Sequence, residues 1–138
     1  MGIIAKNASE DVGSGYRLSL QSNNKINFYQ VEGTGDASST ADSTTALSST
    51  GVWYHVVAVR DSTTLNIYVN GGSAEATTGT TVRNSDNTQQ FVTARYRSPD
   101  DAYYFDGIID ELGLWKRALS AAEVAELYNA GAGKTYPF

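Results

Sequence analysis

Phe105-Asp106-Gly107-Ile108-Ile109-Asp110-Glu111-Leu112-Gly113-Leu114-Trp115-Lys116-Arg117-Ala118-Leu119 runs directly into Ser120-Ala121-Ala122-Glu123-Val124-Ala125-Glu126-Leu127-Tyr128. The first half reads as a long strand. Side chains alternate across a strand, so Ile108, Asp110, Leu112 and Leu114 share one row, and Ile109, Glu111, Gly113 and Trp115 share the other. The first row is apolar except at Asp110 and is expected to face a core. A carboxylate in that row needs a cationic or hydrogen-bonding partner, because burying an unmet charge is costly. The second half reads as a short helix. Ser120 and Glu123 have the spacing of a capping box, in which hydroxyl and carboxylate each satisfy a backbone amide. Ala121, Val124, Ala125, Leu127 and Tyr128 recur at helical spacing and give one apolar side. Gly131 is the expected stop.

Outward from this stretch, the chain reads as strands and turns. Val52 to Arg60 is apolar on both faces, which predicts a central strand covered on both sides. Asp61-Ser62-Thr63-Thr64 turns the chain, and Leu65, Ile67 and Val69 alternate with Asn66, Tyr68 and Asn70. Asn70-Gly71 is a strong hairpin signal, with Ser73 to Thr77 returning antiparallel. Tyr16, Leu18 and Leu20 alternate with Arg17, Ser19 and Gln21. Ile26, Phe28 and Gln30 alternate with Asn27, Tyr29 and Val31, and turn chemistry at Ser22 to Lys25 joins the two. Met1 to Lys6 and Gln90 to Arg95 are further strands. Gly33 to Thr50 reads as a loop with one weak strand near Thr44 to Leu47. Together these predict an all-β, two-sheet antiparallel β-sandwich, a jelly roll with one short C-terminal α-helix.

The 138 residues suit one domain spanning 1–138. There is no cysteine, which excludes disulfides, zinc–cysteine sites and thiol nucleophiles. The net charge of −5 and the scatter of the ten Lys and Arg residues argue against nucleic acid as a partner. No apolar run has the length of a membrane span, and Met1-Gly2-Ile3-Ile4-Ala5-Lys6 lacks signal-peptide architecture.

Three segments carry a family resemblance. They are Ile3 to Lys6 with Gly15 to Leu20, Val52 to Val59 with Leu65 to Gly71, and Phe105 to Glu111 with Arg117 to Val124. In this order they resemble the laminin-G-like branch of the concanavalin A-like lectin and glucanase superfamily, across nearly the whole chain. The resemblance implies the sandwich fold but does not fix an activity. It also implies additional strands ahead of the segment matching Met1, so the chain is expected to be truncated at its N-terminus. A homodimer or swapped oligomer is the expected cover for the resulting gap.

The resemblance implies a structural calcium, with Asp110 as the matching ligand; satisfaction by amides, water or Arg is the alternative. Tyr96, Tyr103 and Tyr104 flank a polar loop holding Asp100 and Asp101. Tyrosine pairs an apolar ring with a polar tip, so this group is the candidate ligand surface. Tyr29 and Tyr54 are expected on sheet faces away from the core. His55, the one histidine, is expected to be packed and hydrogen-bonded. Glycoside hydrolysis needs two carboxyl groups across the sugar bond. The superfamily's glucanases set theirs on alternate strand positions, whereas this chain has only adjacent pairs, so it is not expected to be an enzyme. No Gly-x-Ser-x-Gly elbow is present. The expected role is a non-catalytic recognition module of a secreted, cell-surface or virion protein, binding a glycan or an extracellular protein. The alternative is an assembly module without sugar affinity.

Overall fold

We describe the chain from a computed structural model covering residues 1–6, 14–32, 38–79, 88–95 and 103–134. Eight strands and one helix are assigned among them. The strands are β1 (Gly2–Lys6), β2 (Gly15–Leu20), β3 (Lys25–Val31), β4 (Ser38–Ala46), β5 (Val56–Asp61), β6 (Thr64–Val69), β7 (Ala76–Gly79) and β8 (Val92–Thr93). The helix is α1 (Ala121–Tyr128), followed by a 3-10 turn at Asn129–Gly131. One sheet has five strands in the order β4-β3-β2-β1-β8, and the other has three in the order β5-β6-β7. All pairings are antiparallel. This is the expected two-sheet sandwich.

Alternation explains which side chains meet. Leu18 stands opposite Phe28, and Leu20 opposite Ile26, so these four share the inner face of the five-stranded sheet. They meet Leu65, Ile67 and Val69 of β6. Ile26, Leu65 and Ile67 are fully buried. Each such aliphatic side chain contributes about 1.5–3 kcal/mol by leaving water. The β3–β4 register slips between Lys25 and Asn27. There the Ile26 N–H donates to Ser43 Oγ at 2.9 Å, and that hydroxyl donates to the Thr45 carbonyl at 2.8 Å. A buried serine thus satisfies the amide that the bulge leaves without a ladder partner. Glu75 links the layers by accepting from the Thr45 N–H at 2.8 Å and the Thr44 hydroxyl at 3.2 Å. Burial would raise its carboxyl pKa, but the hydrogen bonds from Thr45 and Thr44 outweigh that and leave it lowered.

The outer face of the three-stranded sheet carries a second cluster. Val59 and Tyr68 pack with Leu119 and Val124, and Val57 and Leu127 join them. Helix α1 therefore seals this face. The capping box forms as expected: the Glu123 N–H donates to Ser120 Oγ, and the Ser120 N–H donates to Glu123 Oε2. Arg117 Nη1 adds a bond to the same carboxylate at 3.0 Å. Arg117 first, then the Ser120 amide and hydroxyl, hold the Glu123 pKa down to about 2.

Several expectations are corrected. Phe105 to Trp115 forms no named strand. The Phe105 N–H donates to the Ala94 carbonyl, and Tyr104 bridges Arg95; beyond that the segment runs without ladder pairing. Its apolar row faces solvent, with Ile108 77% and Leu114 61% exposed. Alternation alone cannot make a strand where no neighbouring strand offers hydrogen bonds, and Glu111 breaks the extended path with φ 49°. The strand expected from Val52 is shorter, beginning at Val56, and it is an edge strand rather than a central one. It is nevertheless covered on both faces, by the core through Val56 and Ala58 and by the helix cluster through Val57 and Val59. The expected loop at 33–50 contains the longest strand described, β4, of nine residues. The strand expected at Gln90 to Arg95 is reduced to Val92–Thr93. The helix stops at Asn129, whose φ of 49° is left-handed, rather than at Gly131. Tyr54 packs against the core instead of facing away from it.

Candidate functional site

The two outer faces of the sandwich differ. Helix α1 covers one with apolar contacts. The other, on the five-stranded sheet, carries a row of polar residues beside the buried Ala5 and Val31. Cross-strand register places Arg17 opposite Tyr29 and Ser19 opposite Asn27 on that face. It also places Tyr29 opposite Thr40 and Asn27 opposite Asp42. The sequence makes this row polar because each of these residues alternates with an inward-facing one such as Leu18, Phe28 or Ala41.

The row is held in place by its own contacts. Asn27 Nδ2 donates to Thr40 Oγ1 at 2.6 Å and to Asp42 Oδ1 at 2.7 Å. The Arg17 guanidinium lies 4.4 Å from the centre of the Tyr29 ring, within cation–π range. Asn27 is nearly buried, while Asp42 and Thr40 remain exposed. Arg17, Gln21, Asn27, Tyr29, Thr40 and Asp42 line a shallow pocket of about 280 Å³. That is near the lower end of the range for ligand sites, about 300–1,000 Å³. It supplies guanidinium and carboxamide donors, hydroxyl and carboxylate acceptors, and one aromatic edge.

The sites expected from sequence lie elsewhere. Tyr96, Asp100 and Asp101 are outside the described residues. Tyr103 is half-buried at the sheet edge, where its carbonyl accepts from the Gly2 N–H at 2.9 Å. Tyr104 is exposed beside it. Neither lines the polar pocket. Asp110 is exposed rather than in a core-facing row, and its Oδ1 accepts from the Glu111 N–H at 2.9 Å. Among the described residues no group of three or more His, Cys, Asp and Glu is placed to hold a metal. Calcium takes six to eight oxygen ligands, and Asp110 offers one exposed carboxylate that already accepts from a backbone amide.

His55 is half-buried with its ring centre 5.7 Å from that of Tyr128. Burial lowers its pKa. Its backbone N–H donates to Asn70 Oδ1 at 3.0 Å, and its buried ring Nδ1 has no hydrogen-bond partner among the described residues.

Sequence reasoning named Tyr29 but missed Arg17, Asn27, Thr40 and Asp42. The alternation of Arg17-Leu18-Ser19 against Asn27-Phe28-Tyr29 carried part of the signal. The rest depended on β4, which reads as a loop.

A larger cavity of about 1,090 Å³ lies on the β5 side of the sandwich. Its walls include Ile4 and Leu18 of the wide sheet, Val57 of β5, and the 105–119 segment.

Comparison with known proteins agrees with this geometry. No curated protein matches the chain. A solved structure of an S-layer domain-containing protein (residues 221–444) from Clostridium thermocellum is similar, with 27% sequence identity and a TM-score of 0.53. The match covers 93% of this chain and 62% of that one, so the chain spans under two thirds of the relative's length. A laminin-G family model, described as concanavalin A-like lectin/glucanases superfamily, matches residues 1–125. The chain therefore belongs to the laminin-G-like branch of the concanavalin A-like lectin/glucanase superfamily.

Proposed function

We propose that this chain is a non-catalytic recognition module of a secreted or surface-displayed protein, and that the outer face of its five-stranded sheet binds carbohydrate. The observation that carries the proposal is the pre-set polar row. Asn27 is fixed by two hydrogen bonds, and Arg17 is held over Tyr29. Closely spaced donors and acceptors beside an aromatic edge match the alternating hydroxyl and C–H surfaces of a sugar. Side chains fixed before the ligand arrives lose little entropy on binding.

Asp42 is the one carboxylate among the described residues lining this pocket. Glycoside hydrolysis by the usual routes needs two, which supports binding without cleavage. The S-layer relative supports a surface location. Among the described residues no helix is long and apolar enough to cross a membrane.

The test is a glycan array with the labelled chain, followed by calorimetry on the strongest sugar. Arg17→Ala and Asp42→Asn should each weaken binding about tenfold or more, equivalent to about 1.4 kcal/mol. Circular dichroism checks that both variants fold. An array without hits, or variants that bind like the parent, refutes the assignment.

A further inference from the structure

The open side of the sandwich concentrates the chain's exposed apolar surface. Eight large apolar side chains are exposed among the described residues, and Val52, Trp53, Ile108, Leu112, Leu114 and Trp115 all line the larger cavity. Only Met1 and Tyr104 lie away from it. An apolar patch gathered in one place marks an interaction surface more strongly than scattered residues do. Beneath it, the outer edge of β5 makes no ladder with any described residue.

The charges along this surface indicate what covers it. Asp110-Glu111-Leu112-Gly113-Leu114-Trp115-Lys116-Arg117 reads acid, acid, four uncharged residues, base, base. All but Gly113 are exposed. Reversed, the octet has the same layout with opposite sign. Two copies related by a twofold axis near Gly113 and Leu114 bring the acidic end of each octet, Asp110 and Glu111, to the basic end of the other, Lys116 and Arg117. A parallel pairing would set acid on acid. Self-complementarity of one patch is what a twofold contact between identical chains requires.

We propose that two copies of this chain associate through their open sides, with the 110–117 octets antiparallel and the ring of exposed apolar side chains closed between them. This rests on reading the chain as an interaction module, but it uses a different surface from the sugar-binding face.

Glu111 and Lys116 are the residues to change. Asp110 accepts from a backbone amide, and Arg117 is engaged with Glu123. Sedimentation velocity over a range of concentrations should show a monomer–dimer equilibrium that weakens with added salt. Glu111→Lys alone and Lys116→Glu alone should each weaken dimerisation about tenfold or more, since every dimer then carries two like-charge pairs. An equimolar mixture of the two variants should dimerise again, because each meets its complement. The double variant should also recover.

A parent chain monomeric at the highest reachable concentration overturns the proposal, as does a mixture that stays monomeric. A monomer whose tryptophan fluorescence instead responds to a synthetic apolar strand peptide would assign the groove to another polypeptide and also overturn it. Glycan binding by a monomeric parent would leave the sugar-binding proposal standing while this one fails.

Discussion

Gly71→Ala tests how the β6–β7 turn and the C-terminal helix fit together. Gly71 has φ +64°, a left-handed conformation that L side chains resist. A Cβ built there would sit 2.6 Å from Tyr128 Cβ and 2.6 Å from Cδ1. Gly51 provides the control, since it has φ +73° and nothing within 4 Å of its added Cβ. The backbone penalty common to both is about 1–2 kcal/mol. At Gly71, the forced shift of Tyr128 adds roughly 1–3 kcal/mol, the usual range for overpacking. The total is about 2–5 kcal/mol, against about 1–2 at Gly51. For a chain of this size roughly 3–5 °C of melting temperature corresponds to each kcal/mol, interpolating between size classes. Thermal unfolding by far-ultraviolet circular dichroism measures both variants. If Gly71→Ala melts no lower than Gly51→Ala, the helix end does not press on the turn and the packing account is wrong.

Further outcomes follow from the same structure. Ser120→Ala removes the hydroxyl of the capping box and should cost about 1 kcal/mol, read by urea unfolding. Acid should destabilise the fold in two windows. Glu123 is held at about 2, below its ordinary 4.5, so its contribution is complete above 4.5 and is lost as pH falls toward 2. His55 lies below its ordinary 6.5, so the unfolded chain takes up that proton first and stability falls as pH drops below 6.5. His55→Gln should remove the loss in the upper window and leave the lower one, in melts between about pH 7 and pH 3. A melting temperature in excess calcium should match that in chelator within about 1 °C, because Asp110 is exposed and its Oδ1 is already engaged by the Glu111 N–H.

Much of the fold was legible because local rules and burial agreed. The β2–β3 hairpin follows from alternation on either side of Ser22 to Lys25. The β5–β6 hairpin follows from two apolar runs around Ser62 and Thr63. The capping box fixed the start of the helix. Where reading failed, the deciding information was not local. The composition of β4 (Ser38–Ala46) reads as a loop, yet it is a strand. Ala41 and Ser43 provide its inner face, and its backbone pairs with a strongly apolar neighbour. Phe105 to Trp115 is the converse case. Its pattern favours a strand, but no described ladder meets it beyond Phe105. Asp110 was placed in a core row on the strength of that strand and moved to solvent with it. The polar row was half-visible, since Tyr29 stood out while its partners on β4 did not.

The central claim is that the polar face of the five-stranded sheet is where this module meets its sugar. Amide chemical-shift mapping of the isotope-labelled chain, titrated with the strongest sugar from the array, tests it most directly. The shifts should cluster at Arg17, Asn27, Tyr29, Thr40 and Asp42, with helix α1 unmoved. Shifts confined to Ile108 to Trp115 or to Tyr103 and Tyr104, or none at saturating sugar, would contradict the account.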